Sequence, residues 1–169
     1  MPETPGVFDP ERVIRALDEH AVDYVLVGGV AARMHGSPTL TEDIDVTPER
    51  SADNLGRLAD ALDAIDARLA VPDREKGIEI PLDEGTFSSP VMSFVTSAGV
   101  IDVVLEPLGT GGYDRLVEDA VDFEVFGIRV TVASLDQVIR SKEAASRPRD
   151  RAHLDVLHEL REELRRRRS

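Results

Sequence analysis

The stretch that decides the fold runs from Tyr24 to Thr47 and reads YVLVGGVAARMHGSPTLTEDIDVT. Its first four residues are apolar, which predicts a buried strand that ends at the pair Gly28-Gly29. The residues after the glycines are rich in alanine and predict a short helix, which the Gly-Ser-Pro sequence at 36–38 breaks. A second strand follows at Asp43. The stretch therefore predicts a strand, a glycine turn, a short helix and a strand in close succession.

Two carboxylates lie on the second of these strands. Side chains alternate along a strand, so Asp43 and Asp45 share one face while Ile44 and Val46 share the other. Neighbouring carboxylates repel one another unless a cation lies between them. Oxygen ligands on a rigid strand can hold Mg²⁺ against the phosphates of a substrate. The two residues alone leave open a simpler alternative, in which the acidic pair is only solvated.

A third carboxylate is expected on a later strand. Residues 91–96 and 100–105 are apolar segments joined by a Ser-Ala-Gly turn, which predicts a hairpin. Asp102 is the single charge in the second segment, and an ionised carboxylate is costly in a buried strand without a partner. Asp102 therefore needs a partner in the folded chain. The alternative is a charge on an edge strand.

Together these features resemble the nucleotidyltransferase fold of the DNA polymerase β superfamily. Within it, the run from His35-Gly36 to Thr41-Glu42-Asp43-Ile44-Asp45 is similar to the "HG…T.DID" segment of the AbiEii/MenT-type nucleotidyltransferase toxins. The resemblance implies an α/β (α+β) fold, with a small mixed sheet flanked by helices and with C-terminal helices closing the site. It also implies that Asp43, Asp45 and Asp102 bind Mg²⁺ or Mn²⁺, and that Asp102 takes the proton of the attacking hydroxyl.

The resemblance extends to the nucleotide site. The segment from Ser134 to Asp150 resembles the "K…A.R.KD" tract of the same toxins. It implies that Lys142 holds the phosphates of the nucleotide, that Arg147 supports it and that Asp150 orients the pair. The implied nucleotide-binding set, with Lys142 also a catalytic residue, is Gly28, Gly29, Thr41, Lys142, Arg147 and Asp150. His153 stands where those relatives often have an acid.

The reaction implied by the resemblance is transfer of a nucleoside monophosphate from an NTP to an acceptor hydroxyl, with release of pyrophosphate. The toxin likeness points to the 3′ end of tRNA as the acceptor and to a cognate antitoxin as a protein partner. Two alternatives stay open: an antibiotic nucleotidyltransferase that modifies lincosamides or aminoglycosides, and a non-catalytic module of the same fold that binds a nucleotide or a protein.

Composition narrows these classes. The 169 residues carry a net charge of −13, which argues against broad, sequence-blind binding of nucleic acid. Lys and Arg outnumber Asp and Glu from Arg140 onward, so a polyanion could dock on the C-terminal part; alternatively Arg165 to Arg168 form a solvated helix end. The chain has no cysteine. The polar residues 1–6 predict no signal segment, no apolar run is long enough to span a membrane, and we expect a cytoplasmic protein.

The remaining segments predict the scaffold. We expect a nucleotidyltransferase core over residues 1–133 and a helical segment over 134–169 that packs on the same domain. Helices are predicted at 10–21, from Ser51 along Leu55, Leu58, Leu62, Ile65 and Leu69, at 113–120, at 135–146 and along Leu154 to Leu164. Residues 72–90 are expected to be a loop with a short strand near 78–81, and 123–132 a second hairpin. The four histidines lack the spacing of a zinc site.

Overall fold

A computed structural model describes residues 7–169 of the chain. In chain order the helices and strands are α1 (Pro10–Glu19), β1 (Tyr24–Val27), α2 (Gly28–Met34), β2 (Asp43–Pro48), α3 (Ala52–Ala64), β3 (Arg68–Val71), β4 (Arg74–Ile78), β5 (Val91–Thr96), β6 (Gly99–Val104), α4 (Tyr113–Leu116), β7 (Val121–Val125), β8 (Ile128–Val132), α5 (Leu135–Ala145) and α6 (Arg151–Arg167). Short 3₁₀ turns occupy Glu84–Thr86 and Pro148–Asp150.

Within the described residues the strands form one mixed sheet of eight, in the order β4-β3-β5-β6-β2-β1-β8-β7. The pairs β1–β8 and β2–β6 are parallel, and the others are antiparallel. The α/β class and the flanking helices predicted from the sequence are confirmed. The parallel β2–β6 pair matters most, because it places two strands that are more than fifty residues apart in sequence side by side.

The two faces of the central strands differ in polarity. Ile44 and Val46 of β2 and Ile101 and Val103 of β6 are fully buried and belong to the main hydrophobic core. The alternate residues of both strands are only half-buried at the acidic positions. Helices α1 and α3 pack on each other, and α2 packs on β1, β2 and α5. The sheet therefore has a closed apolar face and a partly open face that carries the acids.

Local sequence signals place the ends of several helices. Asp9 accepts a hydrogen bond from the backbone N–H of Arg12 and Pro10 opens α1, while the Ser51 and Ser134 hydroxyls accept from the third helical residues of α3 and α5. Side-chain acceptors of this kind satisfy N–H groups that the helix leaves free. The predicted starts of the helices at residues 10 and 135, and of the helix that follows Ser51, are confirmed.

Three expectations need correction in the middle of the chain. The predicted loop begins inside an antiparallel hairpin of β3 and β4, and the strand expected at 78–81 ends at Ile78. Leu69 lies in β3 rather than on α3, which ends at Ala64. Helix α4 is one turn long and ends at Leu116, short of residue 120. The hairpins β5–β6 and β7–β8 are confirmed.

The C-terminal helices pack on the rest of the domain. α5 contacts α2 and α6, and Leu157 of α6 is fully buried in the main core. The division at residues 133 and 134 stays a prediction, and the expectation for residues 1–6 lies outside the described part of the chain. Between residues 7 and 169 the structure has no helix of the length and apolarity that crossing a bilayer requires.

Candidate active site

Three carboxylates meet on the half-buried face of the sheet. Asp45 pairs directly with Asp102 across the parallel β2–β6 ladder, and Asp43 lies two residues earlier on the same face of β2. One oxygen from each of the three residues lies within 4.8 Å of the oxygens of the other two. The sheet register thus brings together all three acids that the sequence analysis singled out.

The surroundings of Asp45 oppose its ionisation. Burial is the largest cause that raises the pKa of Asp45, followed by a hydrogen bond with Asp102 and the charges of Asp102 and Asp43. Together they bring the pKa of Asp45 to about 8, although the positive charge of Lys142 acts in the opposite direction. Oδ1 of Asp102 is buried and, among the described residues, has no hydrogen-bond partner. Carboxylate oxygens that converge in this way, one of them without a hydrogen-bond partner, suit a hard divalent cation.

Gly28 gives the cluster its room. It follows β1 directly, with φ of +69°, and its neighbour Val27 pairs with Asp45. A Cβ built on Gly28 would collide with the Oδ2 atom of Asp45 and lie 2.8 Å from its Cγ. The glycine is therefore required twice, for a left-handed backbone and for the close approach of a carboxylate. Gly28 thus has a role beside the carboxylates, in addition to the nucleotide contact that the family resemblance implies.

The next glycine and Thr41 form the other wall. A Cβ at Gly29 would lie 3.2 Å from both Cβ and Oγ1 of Thr41. The Thr41 hydroxyl is 3.0 Å from Oδ1 of Asp43 and donates a hydrogen bond to it. Thr41 therefore orients a carboxylate of the cluster, in addition to any contact it makes with a nucleotide.

The predicted cationic residues lie on the C-terminal helical segment. Nζ of Lys142 is 3.5 Å from Oδ1 of Asp150, and Nε of Arg147 is 3.8 Å from Oδ2 of the same carboxylate. The side chains of Lys142 and Asp150 are 19% and 14% exposed, whereas Arg147 is 55% exposed. Lys142 is close enough to the acids for its charge to act on Asp45. Asp150 thus brings Lys142 and Arg147 together, and Lys142 contacts Asp150 while its charge also acts on Asp45.

One residue of this neighbourhood had no assigned role in the sequence analysis. His153 lies beside the Lys142–Asp150 pair, and its Nε2 atom is 3.3 Å from the hydroxyl of Ser37. Burial is the largest cause that lowers the pKa of His153, Lys142 lowers it further, and Asp150 opposes them. Ser37 is buried and lies in the loop that leads to Thr41. Nothing in the local sequence signals a contact between residues 116 positions apart.

Comparison with known proteins identifies the fold. No protein-family model matches the chain, and no curated protein sequence is similar to it. Among solved structures it resembles the nucleotidyltransferase TM1012 of Thermotoga maritima, with 16% identity over 95% of this chain and 97% of the other, and a TM-score of 0.54. It also resembles the antibiotic-resistance factor ANT(2″)-Ia, with 16% identity over 94% and 90% of the two chains and a TM-score of 0.51.

A third solved structure is that of the lincosamide antibiotic adenylyltransferase LnuA with lincomycin bound. It shares 11% identity with this chain, over 92% of this chain and 99% of LnuA, at a TM-score of 0.60. At identities this low, the structural similarity establishes a common fold, and the activity has to be argued from the residues of the site. The chain therefore has the nucleotidyltransferase fold over nearly its whole length.

Proposed function

We propose that the protein is a metal-dependent nucleotidyltransferase that moves a nucleoside monophosphate from an NTP to an acceptor hydroxyl and releases pyrophosphate. The observation that carries this proposal is the convergence of Asp43, Asp45 and Asp102 beside Gly28 on a sheet of this fold. A solvated acidic pair would not need a third carboxylate in register on the neighbouring strand, nor a glycine that leaves space for it.

The residues divide the work by position. Asp43, Asp45 and Asp102 would hold Mg²⁺ or Mn²⁺, which when bound neutralises negative charge that develops on the α-phosphate. Asp102, on the strand farther from Gly28, accepts the proton of the attacking hydroxyl. Lys142 holds the phosphates, with Asp150 and Arg147 setting its position. Gly28 and Gly29 allow the phosphates to approach the backbone, and Thr41 fixes Asp43.

For the acceptor we propose the 3′ end of tRNA, as in a nucleotidyltransferase toxin that a cognate antitoxin neutralises. Two features support this proposal: the segment His35 to Asp45 is similar to that of such toxins, and the chain from Arg140 onward is locally basic within an acidic protein. A phosphate backbone would meet positive charge beside Lys142 and Arg147, and negative charge over most of the remaining surface.

A second acceptor class is favoured by a cavity and by the solved neighbours. A cavity of about 150 Å³ lies beyond the end of β2 and β6, lined by Glu49, Glu106, Asp114 and Tyr113 with Arg50. Its carboxylates suit an amine-bearing small molecule, and aminoglycosides are polyamines. ANT(2″)-Ia is an antibiotic-resistance factor and LnuA is an antibiotic adenylyltransferase. An antibiotic nucleotidyltransferase is therefore the alternative.

Transfer of label from each of the four NTPs, labelled on the α-phosphate, tests the proposal. The acceptors are total tRNA and a panel of aminoglycosides and lincosamides, with Mg²⁺ or Mn²⁺. We expect label on tRNA and a loss of at least about 100-fold in Asp45→Ala, because the substitution removes a ligand of the catalytic ion. Asp53→Ala, an exposed carboxylate of α3, is the matched control and should retain full activity.

Each other outcome has a defined meaning. Label on a drug and none on tRNA would establish the antibiotic reading and overturn the toxin. Absence of both transfer and pyrophosphate release would leave a non-catalytic binding module. Expression in a bacterial host gives an independent readout: the toxin predicts growth arrest with the wild type and normal growth with Asp45→Ala.

A further inference from the structure

The C-terminal helix α6 contacts the loop that leads into β2. His153, in the first turn of α6, has Nε2 3.3 Å from Oγ of Ser37. The same Oγ accepts a hydrogen bond of 3.3 Å from the backbone N–H of Thr39. Ser37 is 5% exposed, so water competes poorly for its hydroxyl. The loop that carries Thr41 is thereby tied to α6.

The hydroxyl of Ser37 can pair with the imidazole in either direction. A serine hydroxyl has one proton and two lone pairs, so while it accepts from Thr39 it can donate to an unprotonated Nε2 of His153 or accept from a protonated one. The lowered pKa of His153 agrees with the neutral form.

His153 also lies against the cationic side of the site. The charges of Lys142 and Asp150 both act on its ring, and these two residues form a largely buried ion pair at 3.5 Å. On its other side, Ser37 is followed within four residues by Thr41, whose hydroxyl donates to Asp43. A second part of α6 also lies near this loop, because Cδ1 of Leu160 is 3.5 Å from the position that a Cβ on Gly36 would take.

We propose that His153 is a positioning residue: through Ser37 it sets the loop that presents Thr41 and Asp43, and so couples the metal-binding carboxylates to the Lys142–Asp150 pair. This inference rests on the proposed function, since it assigns a role within that site. His153 touches neither substrate nor metal. It acts by holding two parts of the site, contributed by distant segments of the chain, in one arrangement.

Binding of Mn²⁺ alone, followed by the electron paramagnetic resonance signal of the free ion, tests the coupling without an NTP or an acceptor. We expect His153→Leu and Ser37→Ala each to weaken Mn²⁺ binding about tenfold, at the low end of the effect of residues that support metal ligands. Because both act through one contact, the double variant should bind no worse than either single one. His153→Gln, which keeps a polar group near the position of Nε2, should recover most of the affinity.

A control and an activity readout separate positioning from general stability. His158→Gln changes another histidine of α6, which contacts Glu143 and Arg161 instead, and should bind Mn²⁺ as the wild type does. In the transfer assay His153→Leu should lower kcat more than it raises KM for the NTP. Circular dichroism checks that each variant is folded. If His153→Leu does not fold, Mn²⁺ binding by Ser37→Ala tests the positioning role instead.

Failure of the proposed function and failure of the positioning role give different results. Wild-type protein that binds no Mn²⁺ would overturn the metal-dependent function itself. Wild-type protein that binds Mn²⁺, with unchanged affinity in folded His153→Leu or Ser37→Ala, would overturn the positioning role and leave the proposed function standing. Additive losses in the double variant would also overturn it, because they would show that the two residues act independently.

Discussion

At the scale of single residues, the acidic cluster lowers the stability of the folded chain. Three carboxylates with oxygens within 4.8 Å repel one another, and burial together with the neighbouring Asp102 and Asp43 raises the pKa of Asp45 to about 8. A group protonated under such conditions releases its proton when a cation binds, so metal binding and ionisation are linked. The three carboxylates are placed so that they could hold a metal ion, and Gly28 beside them leaves space for the Asp45 carboxylate.

Gly28 can be compared with Gly127 to separate the effect of a steric collision from that of a left-handed backbone. Both have a positive φ, +69° and +76°, but a Cβ on Gly127 would meet no atom within 4 Å. Gly127→Ala should therefore lower the free energy of unfolding by about 1–2 kcal/mol, the cost of a left-handed alanine. Gly28→Ala should lose more, and should also weaken Mn²⁺ binding at least about tenfold, because its methyl group displaces the Asp45 carboxylate.

Urea unfolding and Mn²⁺ titration of the two variants measure this difference. The excess loss in Gly28→Ala over Gly127→Ala isolates the collision from the backbone strain. Equal losses, with Mn²⁺ affinity retained in Gly28→Ala, would show that the glycine serves the backbone alone and that the close approach to Asp45 has no consequence.

The ionisation of His153 reports the charges around Lys142. Burial has the largest influence on the pKa of His153, and Lys142 and Asp150 act on this pKa in opposite directions. Lys142→Ala should raise the pKa of His153, because a positive neighbour no longer opposes protonation, and Asp150→Asn should lower it. Titration of the ring proton signals by NMR measures both shifts. Arg166→Ala, near the far end of α6, is the control, and shifts of the same sign in both variants would contradict the arrangement.

At the scale of elements, helix α3 contains a residue that the fold does not need. Gly56 lies inside this helix, and a Cβ there would meet no atom within 4 Å. Gly56→Ala should raise the free energy of unfolding by about 0.5–1 kcal/mol, because alanine loses less conformational freedom than glycine when a helix forms. Urea unfolding measures the gain. A loss of stability would indicate a neighbour that approaches this face of α3.

The elements also show what can be predicted from the sequence and why the rest cannot. Helix starts at Asp9, Ser51 and Ser134 follow from local capping chemistry, and apolar runs predict β1 and β6. The β3–β4 hairpin was missed because Val71-Pro72-Asp73 has the composition of a loop and Arg74 to Lys76 are charged. Asp73 has a φ of +66°, which closes this turn. Polar strands at a sheet edge lack the alternation by which strands are predicted.

In the candidate site, too, sequence patterns predict individual residues but not the contacts between them. A charge in an apolar strand marked Asp102, and the Asp-x-Asp pattern marked its partners, but only the parallel register of β2 and β6 places Asp102 beside Asp45. The resemblance to a known family supplied Lys142 and Asp150. It offered no role for His153, whose contact with Ser37 depends on how α6 packs on the loop before β2. Contacts between distant segments arise from the packing of whole elements.

At the scale of the whole molecule, the structure indicates that the C-terminal helices belong to the same core as the sheet. Leu157 of α6 is fully buried in that core, and α5 packs on α2, the helix that begins with Gly28 and Gly29. The segment 134–169 also supplies Lys142 and Asp150 to the site. A site assembled from both parts requires that they stay folded together, so their stabilities should be linked.

Leu157→Ala tests this linkage. Loss of a fully buried leucine should lower the free energy of unfolding by about 2–5 kcal/mol, a large share of the roughly 5–15 kcal/mol typical of a domain. Both tyrosines, Tyr24 and Tyr113, precede residue 134, and the chain has no tryptophan. Tyrosine fluorescence therefore reports the unfolding of residues 1–133 alone, whereas circular dichroism also reports α5 and α6. We expect both signals to shift together to lower urea concentration. Glu159→Ala, an exposed residue of α6, should shift neither, and a dichroism transition that moves without the fluorescence would show that the C-terminal segment unfolds on its own.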